Sequence, residues 1–182
     1  MGLLVKNKNR KLRKLIKRIE ILKNNLNYVE EEVLRRLLLF RQAVADYCFE
    51  NNLPLQKNMF DEQGYEHSPP SNKKRGITKF VKKLYREIAT LTHPDKTDDP
   101  ELNKIFVKCS TALSNGFIYD IIESATKLNI TITSVSLSEL VFLHEEISEL
   151  ENSIKKNKNT YCWIWFEKNK DEKYIKQFLN LK

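Results

Sequence analysis

The chain has 182 residues, a net charge of +8, and only four glycines and five prolines. That length suits one compact domain or a small core with long appendages, and the scarcity of turn residues excludes collagen-like and turn-rich all-β classes. Charged residues make up 31% and hydrophobic residues 41%, a mix that favours long helices, and no run of about 18 apolar residues is present to span a membrane.

The charge is uneven. Residues 1–26 hold nine Lys/Arg against a single acid, Glu20. This basic start contains no signal-peptide core, and Lys6 departs from the myristoylation pattern that Gly2 begins. Cys48, Cys109 and Cys162 are far apart and form no CxxC pair. That speaks against a disulfide framework or a zinc site and fits a reducing compartment, so a cytoplasmic protein without metal or cofactor is expected.

Residues 10–50 read as one helix. Leu12, Leu15, Ile19, Leu22, Leu26, Val29 and Val33 alternate spacings of three and four, and Phe40 and Tyr47 continue the heptad position. Arg36 interrupts the seam. At about 1.5 Å per residue such a helix is roughly 60 Å long and needs a partner to cover its seam. Asn51, Asn52 and Pro54 end it. Residues 51–76 carry Asp61, Gly64, Ser68, Pro69, Pro70, Ser71 and Asn72 and read as a linker.

Residues 77–91 form a short amphipathic helix. Ile77, Phe80, Val81, Leu84, Ile88 and Leu91 make its apolar stripe, with Lys79, Lys82, Lys83 and Arg86 opposite. Pro94 stops it, because proline lacks an N–H and pushes His93 out of the helical region. Asp99 and Pro100 open the next helix as N-cap and first-turn residue, and Leu102, Ile105, Phe106, Cys109, Ala112 and Leu113 form its apolar face. Asn115 and Gly116 break or bend it before a further amphipathic stretch with Phe117, Ile118, Ile121, Ile122, Ala125 and Leu128.

Residues 131–135 are β-branched but short. Ser136 or Ser138 can cap a second heptad helix over about 137–156, with Leu140, Leu143, Ile147, Leu150 and Ile154 as its seam. That helix is the natural antiparallel partner of the first. An aromatic block, Tyr161 to Phe166, and a last amphipathic helix with Tyr174, Ile175, Phe178 and Leu179 close the chain. Trp163 and Trp165 are expected to dock against the paired heptad helices, since an exposed block of this kind would invite aggregation.

The informative segment is KKLYREIATLTHPDK, a basic helix running into His93-Pro94-Asp95-Lys96. It resembles the J-domain of the DnaJ co-chaperone family, in which a helix with a Lys/Arg face ends in a His-Pro-Asp loop. Tyr85 stands eight residues before His93, and Phe106 and Ala112 match the aromatic and small positions of the helix that follows. The resemblance covers about residues 77–115. A first J helix, a Gly/Phe-rich region and a cysteine-rich zinc module have no counterpart here. The resemblance implies that His93, Pro94 and Asp95 trigger ATP hydrolysis by a DnaK-type heat-shock chaperone, with Lys79, Lys82, Lys83 and Arg86 steering and holding it. Such steering raises the on-rate and weakens with salt.

Enzyme chemistry finds little support. His67, His93 and His144 are scattered, with no HExxH pattern and no GxxxxGK phosphate loop. Glu145, Glu146 and Glu149 read as a solvated helix face, and Cys109 as a core thiol. The stretch KNKNRKLRKLIKR interleaves cations with Leu12, Leu15 and Ile16, so it reads either as the soluble start of the first heptad helix or as a surface for nucleic acid or anionic lipid.

The expected organisation is all-α, with long coiled-coil helices flanking a J-like hairpin. Its parts are a basic heptad segment (1–50), a linker (51–76), J-like helices with the HPD loop (77–130), a second heptad segment (131–160), and the aromatic block with its terminal helix (161–182). The expected function is a co-chaperone or adaptor that recruits a heat-shock ATPase, with homo-oligomerisation through the coiled coil as an option. The rival reading is a structural or nucleic-acid-associated interaction protein, a viral one included, in which the J-like element is vestigial.

Overall fold

The computed structural model describes the backbone of residues 2–55, 60, 77–132 and 135–181, with side chains from residue 10 onward. Among the described residues the protein is all-α, with seven helices and no strand: α1 Gly2–Glu50, α2 Lys79–Thr92, α3 Pro100–Asn115, α4 Ile118–Lys127, α5 Leu137–Lys158, α6 Tyr161–Glu167 and α7 Glu172–Phe178. None of these helices is long and apolar enough to cross a membrane.

The helix ends explain how so few glycines suffice. α3 ends at Gly116, in the left-handed region at φ 74°, where a side chain would be strained. Its N–H bonds to the Leu113 carbonyl and that of Phe117 to the Ala112 carbonyl, the Schellman pattern. α1, α4, α6 and α7 end with the same pair of bonds around Asn52, Asn129, Asn169 and Asn180, each at φ between 53° and 56°. Asparagine tolerates this region better than other residues with a side chain, so it takes glycine's usual place at four of these five ends. Gly116 also makes α4 a separate helix rather than a bent continuation of α3.

The chain divides into two compact units. The first lies within Met1–Leu22 and Pro69–Glu149. In it α2, α3 and α4 pack against one another. Its core is aliphatic and small: Leu12, Leu15 and Ile19 of α1, Val81, Leu84 and Ile88 of α2, Cys109 and Ala112 of α3, and Ile118, Ile121, Ile122 and Ala125 of α4 are buried. Val135, Leu140, Leu143 and Ile147 are buried with them, and Tyr119 of α4 is the one buried ring among its described residues. Full burial of such a side chain contributes about 1.5–3 kcal/mol. Between α3 and α4, Lys108 reaches Asp120 at 3.2 Å and Glu123 at 2.6 Å.

Two expectations in this unit are corrected. Leu91 does not extend the buried stripe of α2; it is exposed, and Thr92 is buried in its stead with its hydroxyl donating to the Ile88 carbonyl. The chain leaves the helix at His93, so the last turn presents Thr92 rather than Leu91 to the core. Glu146 is buried rather than part of a solvated face, on the same side of α5 as Leu143 and Ile147, whereas Glu145 is exposed.

The second unit lies within Lys23–Ser68 and Leu150–Lys182. Its core is aromatic. Phe40 sits edge-on to Trp165 at 5.3 Å and to Phe178 at 5.1 Å, and Tyr161 meets Phe178 at 5.4 Å. Trp163 and Trp165 are both buried, as expected. The seam of α1 runs through Val29, Val33, Phe40, Val44 and Cys48; Tyr47, expected in it, is only half-buried. Steps of four from Phe40 onward follow the 3.6-residue helix period, so the buried line drifts off the heptad position.

Arg36, which interrupts the seam in sequence, is a packing residue. Its guanidinium lies 3.8 Å over the Trp163 ring and 5.0 Å from that of Phe166, while its Nε donates to Glu32 at 3.2 Å. Such a stack on a partly desolvated ring stabilises by about 0.5–2 kcal/mol. Of the expected linker, residues 51–55 and Phe60 are described. Phe60 stacks on Phe178 at 5.6 Å under the Arg41 guanidinium, so this point of the segment is docked. The remainder of the linker, including His67, lies outside the described residues.

Candidate partner-docking hairpin

The sequence-predicted site residues all fall on α2 and the loop after it. Thr78 starts α2, its Oγ1 accepting from the Val81 N–H at 3.2 Å. Val81, Leu84 and Ile88 turn inward, which fixes the rotation of the helix. Lys79, Lys82, Lys83 and Arg86, spaced by three and four, then share the opposite face and are all exposed. Lys83 is 76% exposed, with Glu87 3.8 Å away on the next turn. Lys79, Lys82 and Arg86 make no ion pair among the described residues.

Beyond α2 the backbone turns at once. His93 is extended, at φ −67° and ψ 136°, and its N–H closes the helix on the Ala89 carbonyl. Its own carbonyl accepts from Lys96 at 2.8 Å and from Thr97 at 3.2 Å, folding Pro94 and Asp95 into a tight turn. Pro94 sets the entry to that turn and has no N–H to leave unpaired. Asp99 then caps α3, accepting from the Glu101 N–H at 2.8 Å.

The His93 side chain is anchored rather than free. Its ring stands edge-on to Phe106 of α3 at 4.8 Å, and Tyr85 of α2 lies 6.5 Å from the same ring. Nδ1 accepts from the Asp95 N–H at 3.1 Å. Asp95 Oδ2 is 3.5 Å from the same Nδ1, a contact that becomes an ion pair only when Nδ1 carries a proton and gives up the backbone bond. The Asp95 side chain is 87% exposed and the His93 side chain 39%. A carboxylate therefore leads the tip, and a half-buried imidazole fixed by Phe106 stands behind it.

One contributor escaped the sequence reading. Glu139 of α5 is buried and accepts from both the N–H and the hydroxyl of Ser136, whose Oγ in turn accepts from the Ser138 N–H at 3.2 Å at the start of α5. Burial works against its charge, but hydrogen bonds from Ser136 and from the Thr78 hydroxyl hold its carboxyl below the usual glutamate range. It thus ties the start of α5 to the N-cap of the basic helix. The Ser-x-x-Glu spacing was visible in sequence; the link to Thr78 was not.

The Cys109 thiol is buried and pushed up by that burial, away from the nucleophilic thiolate form. No group of three or more His, Cys, Asp or Glu among the described residues is arranged to hold a metal ion. Compared with family models, curated proteins and solved structures, the chain matches none.

Proposed function

We propose that the α2–α3 hairpin is a J-domain-like docking element, through which the protein acts as a co-chaperone or adaptor that stimulates the ATPase of a DnaK-type heat-shock chaperone. The observation that carries this reading is the tip. His93, Pro94 and Asp95 stand at the apex of a helical hairpin, the imidazole braced on Phe106, beside an exposed cationic face of α2. Such a surface suits a partner with an acidic groove and a cation for Asp95. Rigidity of the tip lowers the ordering cost of docking, and the cationic face speeds encounter.

The test is single-turnover ATP hydrolysis by a heat-shock ATPase of the host, with the purified full chain added. Wild type should accelerate hydrolysis, and His93→Gln and Asp95→Asn should each abolish the acceleration while helicity is kept. Charge reversal at Lys83 or Arg86 should weaken it through association, with the larger effect at low salt, where steering is least screened. Lys79, about two turns further from the loop, should matter less. Equal stimulation by wild type and His93→Gln refutes the proposal.

A further inference from the structure

We infer that the exposed cationic face of α1 between Arg10 and Lys17 binds the phosphate backbone of nucleic acid without reading its sequence. Arg10, Lys11, Arg13, Lys14 and Lys17 are all exposed, and none makes an ion pair among the described residues. Several exposed cations elsewhere are compensated on their own helices, Arg35 by Glu32, Lys104 by Glu101, Lys127 by Glu123 and Lys176 by Glu172, and the α2 face holds only three unpaired cations, Lys79, Lys82 and Arg86, over the same length. Five uncompensated cations within eight residues of one rigid helix are a preset electrostatic footprint. Lys14, Lys17 and Ile21 help to line an open recess of about 480 Å³ on this surface.

The fold also separates nucleic acid from lipid as the polyanion. A helix that inserts into a membrane surface must offer an apolar face beneath its cations. Here that face is already used, because Leu12, Leu15 and Ile19 are buried in the first unit. Among the described residues of this stretch, Ile16 and Leu22 are half-buried and Ile21, 57% exposed, is the one apolar side chain that stands out among the cations. What is left is charge at helical spacing, the part of an interface that engages phosphates. No loop or helix tip in this stretch is placed to read base edges, so the binding is set by charge density rather than sequence.

The experiment titrates the full chain into fluorescent random-sequence oligonucleotides, duplex and single-stranded, of about 20 nucleotides, from about 50 to 200 mM salt. Wild type should bind both, with log K falling against log salt at a slope of about −2 to −4, as expected for three to five neutralised phosphates. Lys14→Glu with Lys17→Glu should lose at least about tenfold in affinity and flatten the slope by about 2. Lys155→Glu with Lys168→Glu, at two exposed positions outside both proposed surfaces, changes the net charge equally and should cost less than about threefold, which separates the α1 face from net charge alone. Equal losses in the two double variants, no binding by wild type at the lowest salt, or binding to phosphatidylserine vesicles in place of oligonucleotides each overturn the inference. The hairpin proposal is untouched by any of these outcomes, because its readout is ATP hydrolysis.

Discussion

The two units solve the same problem, covering one side of a long helix, with different materials. The first uses mostly aliphatic residues with one buried ring, Tyr119, and capped helix ends, and keeps Tyr85, His93 and Phe106 at its rim. The second uses large rings, with Phe40 between Trp165 and Phe178 and a guanidinium stacked on Trp163. Close packing of Val, Ile, Ala and Cys brings α2, α3 and α4 near enough for a tight turn to hold a polar tip in place. Ring packing buries more area per residue but leaves polar edges to be matched. Trp163 Nε1 finds Glu167 at 2.7 Å, whereas Trp165 Nε1 is buried without a partner. The first unit is thus the one suited to presenting groups outward, and the second the one suited to stability.

That contrast is sharpest at Phe40. Phe40→Ala should destabilise the second unit by about 3–5 kcal/mol, because it removes the ring that joins two aromatic neighbours. Ile88→Val in the first unit should cost only about 0.5–1.5 kcal/mol. Urea unfolding followed by circular dichroism measures both, and tryptophan emission reports the second unit, which holds both tryptophans of the chain. Comparable losses from the two variants would erase the distinction.

A second test addresses the polar anchor of the first unit. Glu139 ionises below the ordinary glutamate value of 4.5, so it binds fewer protons folded than unfolded on the acid side. Its contribution is fully present above that unfolded value and is lost as pH falls through the folded one. Glu139→Gln should therefore cost about 1–3 kcal/mol at neutral pH, since Ser136 and Thr78 lose a charged acceptor, and should make the acid limb of stability shallower. Melting temperatures from neutral pH down to about 3 check this. Glu123, held low between Lys108 and Lys127, accounts for part of the acid limb that remains.

The smallest effects belong to the tip. His93→Gln loses the edge contact with Phe106 and should cost no more than about 1 kcal/mol. Asp95→Asn, at the exposed apex, should stay within about 0.5 kcal/mol. Thermal melts of the two variants beside wild type measure these shifts. A larger loss from Asp95→Asn than from His93→Gln would show that the turn leans on the carboxylate rather than on the imidazole.

Much of this was legible in the chain alone. Helical periodicity marked six of the seven described helices, because apolar spacing reports the side of a helix that must leave water, whereas the short α6 read only as an aromatic block, too apolar all round to show a period. Pro94, Asp99 and Gly116 marked boundaries, because missing donors, capping acceptors and left-handed backbone are local properties. The residues of the hairpin tip were named from their order for the same reason. Tertiary structure decided what each polar residue in an apolar line was for. Arg36 became a stacked cation, Glu146 a buried acid, Glu139 a link to the start of α2, and His93 a braced imidazole. Each depends on how separate helices pack, as Arg36 does on Trp163 and His93 on Phe106, and that packing is not encoded in local spacing.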